Sequence, residues 1–142
     1  MEASSTQNGN VYDLIKADPN SDFWTSNYEN SFIKASLKDG STFILNKYMI
    51  RGRRHQGSHY HHLKSWKLEG ERASDGKWII LDQHSNEPFN QLEMRTFNVS
   101  CEEELKTVKL TQIGYNTAGA YHLCINAFDI FGNLIANSDN KK

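Results

Sequence analysis

The segment IRGRRHQGSHYHHLKSWKLEG, residues 50–70, sets a basic, imidazole-rich stretch directly ahead of a strand. From Ser65 onward the residues alternate. Trp66 and Leu68 face one way, and Ser65, Lys67, Glu69 and Glu71 the other. A period of two with a large aromatic on the dry side marks a half-buried β-strand. The preceding residues, Gly52–His62, hold two Arg, four His, one Tyr and two Gly, and read as an irregular loop. A rigid strand thus presents an adhesive loop, and that loop is the candidate for function.

Working outward, the same alternation recurs between short runs of turn residues. Thr42–Arg51 reads as a strand with Ile44, Tyr48 and Ile50 on one face. Ala73-Ser74-Asp75-Gly76 closes a hairpin into Lys77–Asp82, where Trp78 and Ile80 repeat the inward pattern. Phe32–Leu37, Met94–Ser100, Leu105–Gln112 and Tyr121–Phe131 are further strands. Phe97 with Val99, and Val108 with Leu110, point inward on two of them, and Gly132-Asn133 stops the last. Val11–Ile15 is a strand or a single helical turn, and Asp18–Asp22 is a turn cluster. About eight short strands with no persuasive helix predict an all-β fold, a jelly-roll antiparallel β-sandwich. The expected organisation is a flexible segment over 1–9, one domain over 10–134 and a disordered tail over 135–142.

A chain of 142 residues fits one domain and needs no metal or disulfide staple. A net charge of −1 gives no bulk attraction to nucleic acid or to anionic membrane, and neither is an expected partner. No apolar run approaches the ~20 residues of a membrane span, and residues 1–10 lack the layout of a signal peptide. Cys101 and Cys124 have no metal-ligand spacing and are expected reduced, in a cytoplasmic setting.

Several residue groups carry chemistry. His55, His59, His61 and His62 form an H-x3-H-x-H-H run, but zinc needs three or four converging ligands and the segment holds no Cys or Glu. No metal or cofactor is expected there. Asp18, Asn20 and Asp22 resemble a fragment of a calcium loop without its Gly or bidentate Glu. Arg51, Arg53 and Arg54 could pair with carboxylate, phosphate or sulfate, or could simply be solvated. Trp66 and Trp78 read as core, and Trp24 as an anchor of its loop. Gln112, Asn116 and Tyr121 offer amides and a hydroxyl, with loop closure favoured for Gln112 and open for Asn116. Asp82, His84 and Glu87 make a triad on paper, in a polar loop with nothing to fix their geometry. No nucleophile elbow or phosphate loop is present, so no enzyme is expected.

Four strings occur in a familiar order: Trp66-Lys67-Leu68-Glu69-Gly70, Asp75-Gly76-Lys77-Trp78, Leu110-Thr111-Gln112 and Phe128-Asp129-Ile130-Phe131-Gly132. Leu14 with Asp22-Phe23-Trp24 precedes them. Over residues 10–132 the series resembles discoidin-like (coagulation-factor type C) domains of the galactose-binding-like superfamily. His61–Gly70 is similar to intracellular members, some of which lie beside BTB domains. The first strand of that family is short or missing here, and the terminal disulfide of secreted members has no counterpart. The resemblance implies recognition by loops at one end: Thr25–Asn30, Gly52–His62 and Gly114–Ala120. The ligand-binding residues it implies are Tyr28, Arg53, Arg54, His55, His59, Tyr60, Tyr115 and Asn116. Amphipathic rings with cationic heads suit a protein or peptide partner, with carbohydrate as the alternative.

Overall fold

The computed structural model describes residues 1–16, 18–37, 39–55 and 60–135. Nine strands occur among them: β1 Glu2–Ala3, β2 Phe23–Trp24, β3 Phe32–Ser36, β4 Thr42–Gly52, β5 Trp66–Arg72, β6 Trp78–His84, β7 Met94–Asn98, β8 Leu105–Gln112 and β9 Cys124–Ile135. All pairings are antiparallel. One layer runs β1-β3-β8-β5-β6 and the other β2-β9-β4-β7. A single pairing of Phe43 with Leu105 links them, so the sheet curls over on itself as a jelly-roll sandwich.

The core lies between the layers. Trp66, Leu68, Val108, Leu110, Ile33 and Leu105 come from one side, and Tyr48, Ile50, Leu45, Ile125 and Phe128 from the other. Each such side chain contributes roughly 1.5–3 kcal/mol by leaving water. One polar chain inside this core is paired throughout. The Trp66 indole N–H donates to the Tyr48 hydroxyl (3.0 Å), which donates to the Asp82 carboxylate (2.7 Å). Gly70 sits where a Cβ would come within 2.8 Å of the Leu105 methyls, so its lack of a side chain admits that leucine to the core.

The inward faces of Trp66, Leu68, Val108 and Leu110 agree with the sequence reading, and four faces or ends do not. Ile44 points outward. The β4–β9 register shifts between Leu45 and Lys47, so Phe43 and Leu45 share the core face with Tyr48 and Ile50. Trp78 and Ile80 also lie on the outer face, where Ile80 is 61% exposed. Residues 78–81 are all apolar, so alternation alone cannot choose their face. The pairing of Trp78 with outward Glu71 decides it, and the Lys109 ammonium packs 4.4 Å from the Trp78 ring. Gly132-Asn133 does not stop β9, which pairs with β4 through to Ile135. A Cβ at Gly132 would fall 2.0 Å from the Ile44 carbonyl oxygen, so this glycine permits close strand approach.

Residues 1–9, expected to be flexible, are tied to the domain. β1 pairs with β3, the Ser5 hydroxyl accepts from the Ser26 amide, and Asn8 bridges to Trp24. Val11–Ile15 is a 3-10 turn capped by the Asn10 side chain, with Leu14 buried beneath it. The expected tail, apart from Ile135, lies outside the described residues. Both cysteines are free thiols, and burial pushes the Cys124 thiol up from its ordinary range. Among the described residues no helix is long and apolar enough to cross a membrane.

Candidate functional site

The ends of β2, β4, β6 and β8 and the starts of β3, β5, β7 and β9 meet at one pole of the sandwich. Four connections therefore share it: 25–31, the described residues 53–55 and 60–65, 85–93 and 113–123. Three of them were expected. The fourth, 85–93, is stitched to the second: the Glu87 and Phe89 amides donate to the Lys64 and Leu63 carbonyls, and the Leu92 amide to that of Arg53. The second is stitched to the last through the Thr117 amide and hydroxyl, which meet the His62 backbone. A pole cross-braced in this way holds its side chains in fixed places.

At its centre stand Trp24, His61 and His122. The two imidazoles cross edge to face at 5.1 Å, and the Trp24 ring lies 6.5 Å from one and 6.3 Å from the other. His61 has φ 62°, the left-handed region that few side-chain-bearing residues enter. Such backbone strain clusters at ligand sites.

The hydrogen bonds beneath assign the protons. The Asn116 side-chain oxygen accepts from the Ala118 and Ala120 amides, so its nitrogen is the donor. That nitrogen donates to the His122 carbonyl and to His61 Nδ1. Nδ1 of His61 is thus an acceptor, and its proton sits on Nε2. Burial, with His122 and Arg53 near by, lowers the His61 pKa and favours this neutral form. His122 is the opposite tautomer. Its Nδ1–H donates to the Thr25 carbonyl at 2.8 Å, which leaves Nε2 as an acceptor when the ring is neutral. One donor and one acceptor therefore sit side by side.

Arg53 supports this group from the side. Its guanidinium carbon lies 4.5 Å from the Trp24 ring centre, and Nη1 donates to the Tyr60 carbonyl at 2.6 Å. Asp22 Oδ2 is 3.6 Å from Arg53 Nε, and both side chains are nearly dry at 4% and 9% exposure. Asp22 also accepts from the Arg54 amide and the Asn126 side chain.

The eight expected ligand-binding residues divide. Tyr28 is 68% exposed, and Tyr60, Tyr115 and Arg54 are also exposed. His55 stacks on Tyr60 at 5.0 Å, and Tyr115 on Tyr121 at 4.8 Å. The hydrogen bond that Tyr121 donates to Tyr115, aided by slight burial and Glu29, pushes the Tyr121 hydroxyl up to about 12. Arg53 and Asn116 do not face solvent. Arg53 braces Trp24, and Asn116 is 1% exposed and positions His61. His59 lies outside the described residues. Loop closure falls to Asn116, whereas the buried Gln112 side chain has no hydrogen-bond partner among the described residues.

The expected site residues left out Trp24, His61 and His122, which the fold brings together at the centre of the pole. Their shared signal was position, since Trp24 ends β2 and His122 lies just ahead of β9 at the same pole. Among the described residues the histidines of the run do not converge. His55 turns to Tyr60, His61 to His122, and the buried His62 ring has no hydrogen-bond partner among those residues. Among the described residues no three His, Cys, Asp or Glu side chains are placed to hold a metal ion. Asp82, His84 and Glu87 do come together, because β6 and the buried Tyr48 fix them. His84 bonds Asp82 at 3.0 Å and Glu87 at 2.7 Å, and its ring stacks on Trp66 at 4.9 Å.

The curled antiparallel sandwich with its pole of loops has the discoidin-like fold, as its likeness to solved structures shows. The CBM32-3 module of a family 31 glycoside hydrolase from Clostridium perfringens superposes with a TM-score of 0.74 at 10% identity, over 94% of this chain and 89% of that one. The CBM32-5 module of CpGH89 from the same organism, solved with GalNAc-β-1,3-galactose, gives 0.72 at 14% identity, over 92% and 93%. An F5/8 type C domain from Bacteroides fragilis gives 0.73 at 10% identity, over 93% and 89%. No family model matches the chain, and no curated protein matches it. At these identities the likeness is one of fold.

Proposed function

We propose that this chain is a non-catalytic glycan-binding module whose ligand sits on the His61–His122 edge beside Trp24. The observation that carries the reading is the paired imidazoles, one presenting Nε2–H and the other a bare Nε2. A sugar hydroxyl is both donor and acceptor, so one hydroxyl can satisfy both rings. Trp24 and the exposed rings of Tyr28, Tyr60 and Tyr115 offer flat apolar faces to the C–H side of a pyranose.

The Tyr- and Arg-rich pole first suggested a peptide, and such residues do serve protein interfaces. The saccharide reading is the better supported. Structures of the same fold are carbohydrate-binding modules, and one holds a galactose-containing disaccharide. The lowered His61 pKa also suits uncharged hydroxyls better than an acidic peptide.

A glycan array probed with the wild-type domain beside His122→Phe tests this. Phenylalanine keeps a ring against Trp24 and removes the acceptor. Specific signals should weaken at least about tenfold in the variant, the loss of about 1.4 kcal/mol expected for one hydroxyl bond. A silent wild-type array, or an unaffected variant, would exclude the site as drawn.

A further inference from the structure

Behind Trp24, between the N-terminal segment and the turn at 18–22, lies a cleft of about 90 Å³ lined by Asn8, Asn20, Asp22, Trp24, Arg53 and Arg54, with His55 at its edge. That is several times the ~10–15 Å³ a single water needs. Its lining is rich in donors. The Trp24 indole N–H and the Arg53 Nε–H are buried with no hydrogen-bond partner among the described residues. Arg53 as a whole is 3% exposed.

Two guanidinium groups face one carboxylate here, and that carboxylate is already occupied by the Arg54 amide and the Asn126 side chain. Arg54 Nε stays 3.9 Å from Asp22, beyond hydrogen-bond range, with its side chain 48% exposed at the mouth. The orphaned acceptor near by, Asn126 Oδ1, belongs to a fully buried side chain that does not line the cleft. Unpaired donors around a net positive charge call for a ligand that only accepts hydrogen bonds and is itself negative.

We infer that the cleft is an oxyanion subsite, built for a carboxylate or sulfate group carried by the saccharide on the rim. The inference rests on the glycan reading for its ligand and on the cleft for its charge. Trp24 is common to both places, with Arg53 packed 4.5 Å from its ring and the imidazoles 6.3–6.5 Å away. One sugar unit spans them, with hydroxyls at the histidines and the acid group beside Arg53 and Arg54.

Two sets of probes separate the cleft from the rim. Sodium sulfate, titrated at constant ionic strength against chloride, should shift the Trp24 indole N–H and Arg54 amide NMR signals saturably. Arg54→Gln, which keeps the Arg54 backbone bonds, should weaken that response about tenfold. Galacturonate should bind the wild type about tenfold more tightly than galactose, and Arg54→Gln should erase that preference. A shift that fails to saturate, or that the variant leaves unchanged, means an adventitious ion only and overturns the inference, even if galactose still binds the rim. Equal affinities for galacturonate and galactose overturn it too. Saturable, Arg54-dependent sulfate binding with no saccharide bound would sustain the oxyanion site and refute the glycan reading.

Discussion

Asp22 and Arg53 show how much of this pole depends on single charges. Both are nearly dry, and Asp22 also takes the Arg54 amide and the Asn126 side chain. Removing one partner of a buried pair strands the other, at a cost of about 3–5 kcal/mol. Asp22→Ala should lower the urea-unfolding free energy by that amount, and a loss below about 1 kcal/mol would mean that water reaches Arg53.

Two acid transitions belong to the same scale. Burial holds His61 and His62 below the usual imidazole value of 6.5 in the folded chain, so the unfolded chain takes up their protons first. Stability should be full above about pH 6.5 and fall as pH drops through the depressed folded values. Hydrogen bonds from Arg95 hold Glu93 down at about 2. Its contribution should persist above pH 4.5 and be lost on the way to pH 2. Chemical denaturation across pH should show both windows, and Glu93→Gln should remove the lower one alone. At the residue scale the sequence revealed the inventory of His, Arg and Tyr but not their pairing. Asn116 and His61 are 55 positions apart, and only folding makes one the partner of the other.

Strands read well where composition was asymmetric. Ser65–Glu71 alternates cleanly, so Trp66 and Leu68 announced their face. Residues 78–81 are apolar on both faces, and a hairpin pairing had to decide. In β4 the register shift near Asn46 inverted the phase, which no local pattern reveals. Gly132 looked like a terminator because glycine usually punctuates. Between β4 and β9 it does the reverse. Gly132→Val should force β4 and β9 apart and cost roughly 3 kcal/mol, read as a lower melting temperature. A neutral effect would mean that β9 ends earlier than Ile135.

The whole molecule divides into a sandwich that local patterns announced and a pole that they did not. Alternation and turn chemistry report each strand's own burial, and together these sufficed for an antiparallel jelly roll. The ordered strings that resemble discoidin-like domains pointed the same way, and the fold agrees. The pole depends on four loops converging, and convergence is a property of topology. Loop 85–93 looked like a plain polar connection until its amides met the Lys64 and Leu63 carbonyls. Trp24 ends β2, and His61 and His122 come from two separate loops, so their grouping had no sequence period to betray it. The central claim is that saccharide binds on this pole. The most direct test is NMR shift mapping of the ¹⁵N-labelled domain with N-acetylgalactosamine. The account predicts saturable shifts at Trp24, His61, Asn116 and His122, with β6 and the far end of β9 unmoved. Shifts confined to the outer sheet face around Trp78, or none up to the highest sugar concentration, would contradict it.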